Sequence, residues 1–493
     1  MASASSIIIS FLLLLFISAA QSHDVCIIGS GIGGASVAHF LRHYSSSVPL
    51  SIKVFERHAE VGGRMATVTI AGDTFEAGAS ILHPKNFHAL NFTKSLKLKI
   101  NAPSSDDDDD LASSFGIWDG ERFVFKTIKS GSKSWIVQKI VGYANTAMVL
   151  FRYGFSLVRM DRFVEGTVNK FLKYYESLES RPVFSTVEEM LQWSGLYNLT
   201  ARSLEDELTD AGLSSLLIRE LVTVITRINY GQSVKMSGLA GAVSLAGSGG
   251  GLWSVAGGNK QMAAGLINNS DVDLHLLEEI KSISYLGKSY ELNATNGNSY
   301  ACDVTVVASP LDEVPIEFSP PVTVAARKLQ HTYTTFVRGV LNPDFFGMSS
   351  VSDIPDLVGT VEDPKIPFSC ISVLKEYNDR DKTFKLFSRA PMQDALLDDI
   401  FSERTETIHI DWAAYPHYQP PEVFSKFVLD DKHLYYMNAF ESGASTMETS
   451  AVSGENMARL ILSRLSGEAD DGESILKNSI HDRKVQGSQH SDV

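Results

Sequence analysis

The 493-residue chain has only three cysteines, Cys26, Cys302 and Cys370. That is too few for a disulfide framework, so stability has to come from an apolar core. Cys26 falls inside an apolar run and Cys302 beside another, and both read as small buried residues rather than nucleophiles. No histidine spacing of the metal-binding kind accompanies them, and no metal is expected. Positive charge is also scarce: 43 Lys and Arg against 58 Asp and Glu leave a net charge of −15. Such a surface repels an anionic polymer, so nucleic acid is not an expected partner. Beyond the N-terminus no apolar run reaches the roughly 18 residues that a spanning helix needs. No Ser/His/Asp or Cys/His constellation stands out either, so nucleophilic catalysis by the protein has no obvious carrier.

What is present suits a large folded protein. At 44% apolar and 20% charged, the chain can bury a sizeable core, and its length corresponds to about three domain-sized units. Ile7–Ala20 is apolar, terminal and too short to span, and it ends in Ser18-Ala19-Ala20, small residues suited to cleavage. Residues 1–20 are therefore read as a signal peptide, although Met1 to Ser6 lack the usual Lys or Arg. Four N-x-[ST] sequons, at Asn91, Asn198, Asn268 and Asn293, are compatible with glycosylation in the secretory lumen. Asp106 to Asp110 reads as a solvated acidic insertion, and residues 467–493 as a disordered polar tail with neither a prenylation box nor an ER-retrieval signal.

The most informative stretch is Val25-Cys26-Ile27-Ile28-Gly29-Ser30-Gly31-Ile32-Gly33-Gly34, an apolar strand entering G-x-G-x-x-G and then the helical run Ala35 to His43. Gly29 would make the turn, Gly31 clear room for a pyrophosphate, and Gly34 let helix and strand pack. The phosphates would rest on the helix N-terminus, whose free N–H groups and dipole favour an anion. Leu50 to Phe55 reads as the second strand and ends in Glu56, about twenty residues on, where an acidic side chain meets a ribose hydroxyl in dinucleotide folds.

The following segments resemble the FAD-binding group of amine oxidases and phytoene desaturases. They include Val61-Gly62-Gly63-Arg64 with Arg64 facing phosphate or flavin, Gly257-Gly258-Asn259-Lys260, and the strand Asp303 to Pro310. Leu434 to Asn438 then runs into Glu441, which in that group meets the ribityl or pyrophosphate region. Longer runs narrow the likeness. Arg227-Ile228-Asn229-Tyr230-Gly231-Gln232-Ser233, Gly251-Leu252-Trp253-Ser254-Val255 and Gly78-Ala79-Ser80-Ile81-Leu82-His83-Pro84 are similar to signature stretches of the prenylcysteine oxidases, also called farnesylcysteine lyases.

That resemblance implies an α/β fold with a Rossmann-like FAD-binding domain and an interleaved substrate domain. Residues 24–84, 234–310 and 431–465 would build the former; 85–233 and 311–430 would build the latter. The implied cofactor site comprises Gly29, Gly31, Gly33, Gly34, Glu56, Gly63, Arg64 and Glu441. The implied reaction oxidises the thioether of an S-prenyl cysteine, farnesylcysteine foremost, with O2 and water, to a prenyl aldehyde, cysteine and H2O2. The implied setting is a lysosome- or vacuole-like lumen where prenylated proteins are degraded. His83 is the candidate for orienting water or substrate, with a structural role in the turn before Pro84 as the other reading. Asn229, Tyr230 and Gln232 would line the site or serve packing. The prenyl channel is expected from aromatic-rich segments between Phe115 and Tyr175 and between Tyr333 and Phe387. The amphipathic stretch Ser134 to Tyr175 would pack as core, line that tunnel, or rest peripherally on a membrane. Two other functions fit some of these features: a flavin amine or polyamine oxidase, and a non-enzymatic prenyl-binding escort protein.

Overall fold

In the computed structural model of this protein the described residues are 22–45, 48–101, 114–130, 135–378 and 380–467. The signal-like segment 1–20, the acidic run Asp106 to Asp110 and the tail after Gly467 lie outside them.

The run Val25 to Ile28 is apolar at every position because its strand is covered on both faces, as a central parallel strand must be. His23–Ile28 sits in the middle of a five-stranded parallel sheet, in the order Leu434–Tyr436, Val304–Val307, His23–Ile28, Leu50–Glu56, Val272–Leu276. The helices Lys260–Asn269 and Met447–Leu465 each pack against Ile32–Tyr44, and all three share one apolar core with this sheet. A second sheet, Ser299–Cys302, Tyr290–Ala294, Ile280–Tyr285 and Glu317–Ser319, abuts it.

A seven-stranded sheet forms the other half, in the order Phe401–Pro416, Leu329–Leu341, Asp381–Ser388, Cys370–Asn378, Leu357–Thr360, Phe115–Trp118, Phe123–Lys126. It has its own core around Trp118, Phe346, Phe368 and Phe384. Helices Trp135–Tyr153, Ser156–Phe171, Leu204–Asp210 and Thr223–Tyr230 form a further layer around Leu204, Leu217 and Tyr418. Helix Gly238–Ala246 packs in this layer, burying Ala240 and Leu245 there, and a Cβ on Gly241 would stand 2.6 Å from Leu204. Its Leu239 and Val243 pack on the core shared with the five-stranded sheet, so this helix bridges the two layers. The glycine-rich motifs mark loops, and they do not report which layer a helix between them joins.

Cys26 and Cys302 correct the reading of the cysteines. Both are buried, yet they are bonded to each other as a disulfide, with 5.9 Å between their Cα atoms. Val25 pairs in register with Val304 in the central sheet, and this brings Cys302 alongside Cys26. At a sequence separation of 276, only the strand order could reveal the pair. Cys370 is buried and free.

Candidate active site

Within the nucleotide turn, each glycine meets a different demand. Gly29 has φ +108°, a conformation L side chains rarely adopt, and its N–H donates to Phe55 O at 2.8 Å. A Cβ on Gly34 would lie 2.0 Å from Gly29 O, and one on Gly33 1.9 Å from Met437 Cε, so both allow close packing. Gly31 is unlike them. Its φ of −64° and ψ of 179° suit any residue, and a Cβ there would meet nothing nearer than Gly62 O and Gly63 Cα at 3.8 Å. The protein itself does not require this glycine; the space beside it does.

That space is a cavity of about 600 Å³, within the range of small-molecule sites. Gly29, Gly31, Gly33, Glu56, Gly63, Arg64 and Glu441 all line it. Gly34 lies behind the lining, where it supports the turn. Gly31 caps the helix Ile32–Tyr44 with no side-chain hydrogen bond, so the first turn offers its N–H groups to whatever enters. Glu56 is buried; its Oε2 accepts from Ser30 N at 3.1 Å and Ser30 Oγ at 2.6 Å, and its Oε1 from His58 N at 3.0 Å.

Farther along, Gly62 and Gly63, both at positive φ, deliver Arg64 to the wall. Arg64 donates to Ala414 O at 2.9 Å and pairs with Glu441. Arg327 bonds the other Glu441 oxygen at 3.3 Å and Asp312 at 2.8 Å. Burial works against the charge of Glu441, but Arg64 and Arg327 outweigh it and hold the carboxyl below the usual range. Burial likewise opposes the charge of Arg327, yet Tyr436, Glu441 and Asp312 raise its pKa. The glutamate expected to meet a ligand is thus an ion-paired wall element between two arginines. Next to it, Ser445, Thr446, Met447 and Ser450 line the cavity at the start of helix Met447–Leu465, which Thr446 and Thr449 cap reciprocally.

One face of the seven-stranded sheet completes the enclosure. Thr332 and Thr334, Phe387, and Trp412 to Tyr415 line the cavity from three adjacent strands. Lys385 lies on the same face: its Nζ donates to Glu76 O at 2.9 Å, and burial pushes its pKa down to about 8. Three carboxylate and imidazole groups that also line the cavity, Glu313, His331 and Asp411, are linked, with His331 Nδ1 2.8 Å from Asp411.

The walls carry polar atoms that the protein leaves without partners: Thr332 Oγ1, Thr334 Oγ1, Trp412 Nε1 and Asn438 Oδ1, all buried. Buried polar atoms are ordinarily satisfied. Together with the glycine whose Cβ would fill the cavity, they fit a bound dinucleotide cofactor bearing a polar ring. The sequence offered little sign of these four, since a threonine or tryptophan within a strand belongs to no motif.

Other expected residues stand elsewhere. His83 is not in the cavity wall. Its Nδ1 accepts from Lys85 N at 3.0 Å, its N–H donates to Asn86 at 2.7 Å and its carbonyl accepts from Trp253 at 3.1 Å, all within the turn around Pro84. Asn229, Tyr230 and Gln232 are likewise absent from the lining; Tyr230 OH donates to Ser445 O at 3.0 Å and Gln232 bridges Pro416 and Tyr418. They brace the wall from behind. Of the described residues in the aromatic stretch 115–175, none lines the cavity.

Residues 136–473 match the family described as Prenylcysteine lyase, and residues 27–96 match the NAD(P)-binding Rossmann-like domain. The chain is 65% identical over 443 residues to the Arabidopsis thaliana protein named farnesylcysteine lyase, covering 89% of this chain and 88% of that relative. To prenylcysteine oxidase 1 of Homo sapiens it is 32% identical over 480 residues, 92% of this chain and 91% of the relative. Among solved structures, cyclohexylamine oxidase from Brevibacterium oxydans superposes with a TM-score of 0.57 at 17% identity, over 90% of this chain and 100% of that one. Wild-type putrescine oxidase bound to putrescine does so with a TM-score of 0.55 at 14% identity, over 90% and 99%. These two likenesses are of fold alone.

Proposed function

This chain belongs to the prenylcysteine lyase family, and on that premise we propose that it is an FAD-dependent oxidase that cleaves the thioether of S-prenyl cysteine, with farnesylcysteine the preferred substrate. The observation that carries the reading is the 65% identity to farnesylcysteine lyase over 443 residues, 89% of the chain. Amine oxidation rests on likeness of fold alone, which does not transfer function. A prenyl-binding escort would have no use for a glycine such as Gly31, kept small only where the cavity needs room.

The chemistry that a bound FAD would supply is acceptance of the hydride from the allylic carbon attached to sulfur, with reoxidation by O2 to hydrogen peroxide. Loss of that hydride leaves a cation stabilised by the double bond and the sulfur lone pair. Water adds to it, and the hemithioacetal collapses to prenyl aldehyde and cysteine. Little acid–base work falls to the protein, which supplies orientation and a dry site. Gly31 leaves room for the pyrophosphate, and the helix that follows offers it free N–H groups. Glu56 stands in the cavity wall for a ribose hydroxyl. The Arg64–Glu441–Arg327 chain locks the loop 62–64 to the roof, and Phe387, Trp412 and Tyr415 exclude water from above.

The setting we propose is the secretory pathway, ending in a lysosome- or vacuole-like lumen and entered through the segment 1–20. The disulfide Cys26–Cys302 supports an oxidising compartment. Three sequon residues, Asn91, Asn198 and Asn268, are exposed and open to glycosylation, whereas Asn293 is partly buried and donates to Ser282. Membrane contact would be peripheral: among the described residues no helix is long and apolar enough to cross. Its support is the pair of helices Trp135–Tyr153 and Ser156–Phe171 with the turn between them, which expose Tyr143, Phe151 and Phe155, Phe151 to 95%.

The test is to incubate the purified protein with S-farnesylcysteine under oxygen. Farnesal, cysteine and hydrogen peroxide in equal amounts are expected. Ammonia and a keto acid would mean oxidation at the amine and would replace this reading.

A further inference from the structure

Thr332 and Thr334 alternate along one strand and so project from the same face, and Trp412 stands directly across from Thr332 on the neighbouring strand. The ring of Trp412 is the side chain nearest to where a Cβ on Gly78 would sit, at 3.8 Å, and Ala414, next but one in its strand, holds Arg64 through its carbonyl. All three residues line the cavity. Thr334 is 1% exposed and Thr332 9%, and neither hydroxyl nor the Trp412 indole N–H has a partner in the protein.

The strand ladder does not need these groups. Valine has the shape of threonine and an equal liking for strands, and would remove the desolvation cost of an unpaired hydroxyl. Three such costs in one row point to a ligand that repays them. A prenyl chain has no polar atoms and would leave all three unsatisfied. The cysteine head carries full charges, and this row offers none. One pure donor and two hydroxyls that can donate or accept match a neutral edge on which carbonyl and N–H groups alternate. The dione edge of an isoalloxazine ring has that pattern.

We propose that Thr332, Thr334 and Trp412 form a hydrogen-bonding rail for the polar edge of the flavin ring, which sets how tightly the ring is held and how easily it is reduced. The proposal rests on the FAD reading above and extends it to residues that no cofactor motif marks. The rail belongs to the substrate domain, so a ring seated on it joins the two halves of the molecule.

The experiment uses full-length protein with Thr332→Val and Thr334→Val, which keep the side-chain shape, and Trp412→Phe, which removes the indole N–H together with one ring, each stripped of flavin and titrated with FAD. Thermal midpoints of the two stripped threonine variants should equal or exceed that of the parent, because no protein partner is lost, whereas Trp412→Phe also gives up ring packing. The dissociation constant for FAD should rise about tenfold per group removed, with a shifted flavin absorbance band and a shifted reduction potential. Variants that match the parent in affinity, spectrum and potential overturn the proposal. So do variants in which those three hold while only the KM for S-farnesylcysteine rises, since the row would then face the substrate. A parent protein that takes up no FAD at all overturns the functional reading itself, which keeps the two failures apart.

Discussion

Gly31 shows at the scale of one residue how a ligand leaves its mark on an apoprotein. Since its backbone suits any side chain and nothing stands within 3.8 Å of a Cβ, Gly31→Val should fold with the parent's thermal midpoint. Its flavin-to-protein absorbance ratio should nevertheless fall by about tenfold or more, because the branched side chain fills the pyrophosphate's space. Gly34→Ala should behave oppositely and fail to fold, as its Cβ collides with Gly29 O at 2.0 Å. If Gly31→Val purifies fully yellow, the assigned site is wrong. Glu76, on the other side of the wall, predicts a pH dependence. Burial pushes its carboxyl up to about 6, and one of its oxygens has no partner. With the folded pKa above the unfolded value of 4.5, its contribution is intact below pH 4.5 and lost as the pH rises through 6. Thermal midpoints of Glu76→Gln relative to parent should therefore climb between those values and then level off, by an amount on the order of 1 kcal/mol once solvent screening is allowed for. A flat difference curve would remove the carboxyl from this role.

The helical pair Trp135–Tyr153 and Ser156–Phe171 raises the corresponding question at the scale of an element. Its amphipathic pattern is visible in the sequence, but the pattern cannot say which faces find partners. In the structure Tyr153 is buried in the helical layer, and its OH donates to Glu220, which also pairs with Arg152. Phe151 and Phe155 stay in solvent. Each phenyl ring can contribute about 1.5–3 kcal/mol when removed from water, so the double change Phe151→Asp with Phe155→Asp should lower co-sedimentation with lipid vesicles by about a hundredfold. Turnover of S-farnesylcysteine presented in detergent should stay at the parent's level. Equal sedimentation of both proteins would leave these rings without a membrane role.

At the scale of the whole molecule, a domain assembled from three separate stretches of chain is held by one covalent link. Cys26–Cys302 closes a loop of 276 residues and ties the nucleotide strand to the neighbouring sheet. Removing a link of this kind costs on the order of 2–4 kcal/mol. Cys302→Ala should lower the denaturant midpoint accordingly and leave the flavin-binding geometry intact in the protein that remains folded. An unchanged midpoint would make the bond dispensable.

The dinucleotide half was legible in the sequence because its chemistry is local. Strand, turn and helix are contiguous from Val25 to His43; Gly34 answers the carbonyl of Gly29 five residues before it, and Glu56 follows at a fixed offset. Family likeness, carried by equally contiguous runs, extended that to FAD and a prenylated thioether. Tertiary structure decided whatever depends on distance along the chain. Strand order joined Cys26 to Cys302, and packing set helix Gly238–Ala246 between two cores. The fold also placed Arg327 against Glu441, kept His83 within its own turn, and laid Thr332, Thr334 and Trp412 over the cavity. Pairing between remote strands is set by the burial of whole faces, and no spacing in the sequence records which faces will meet.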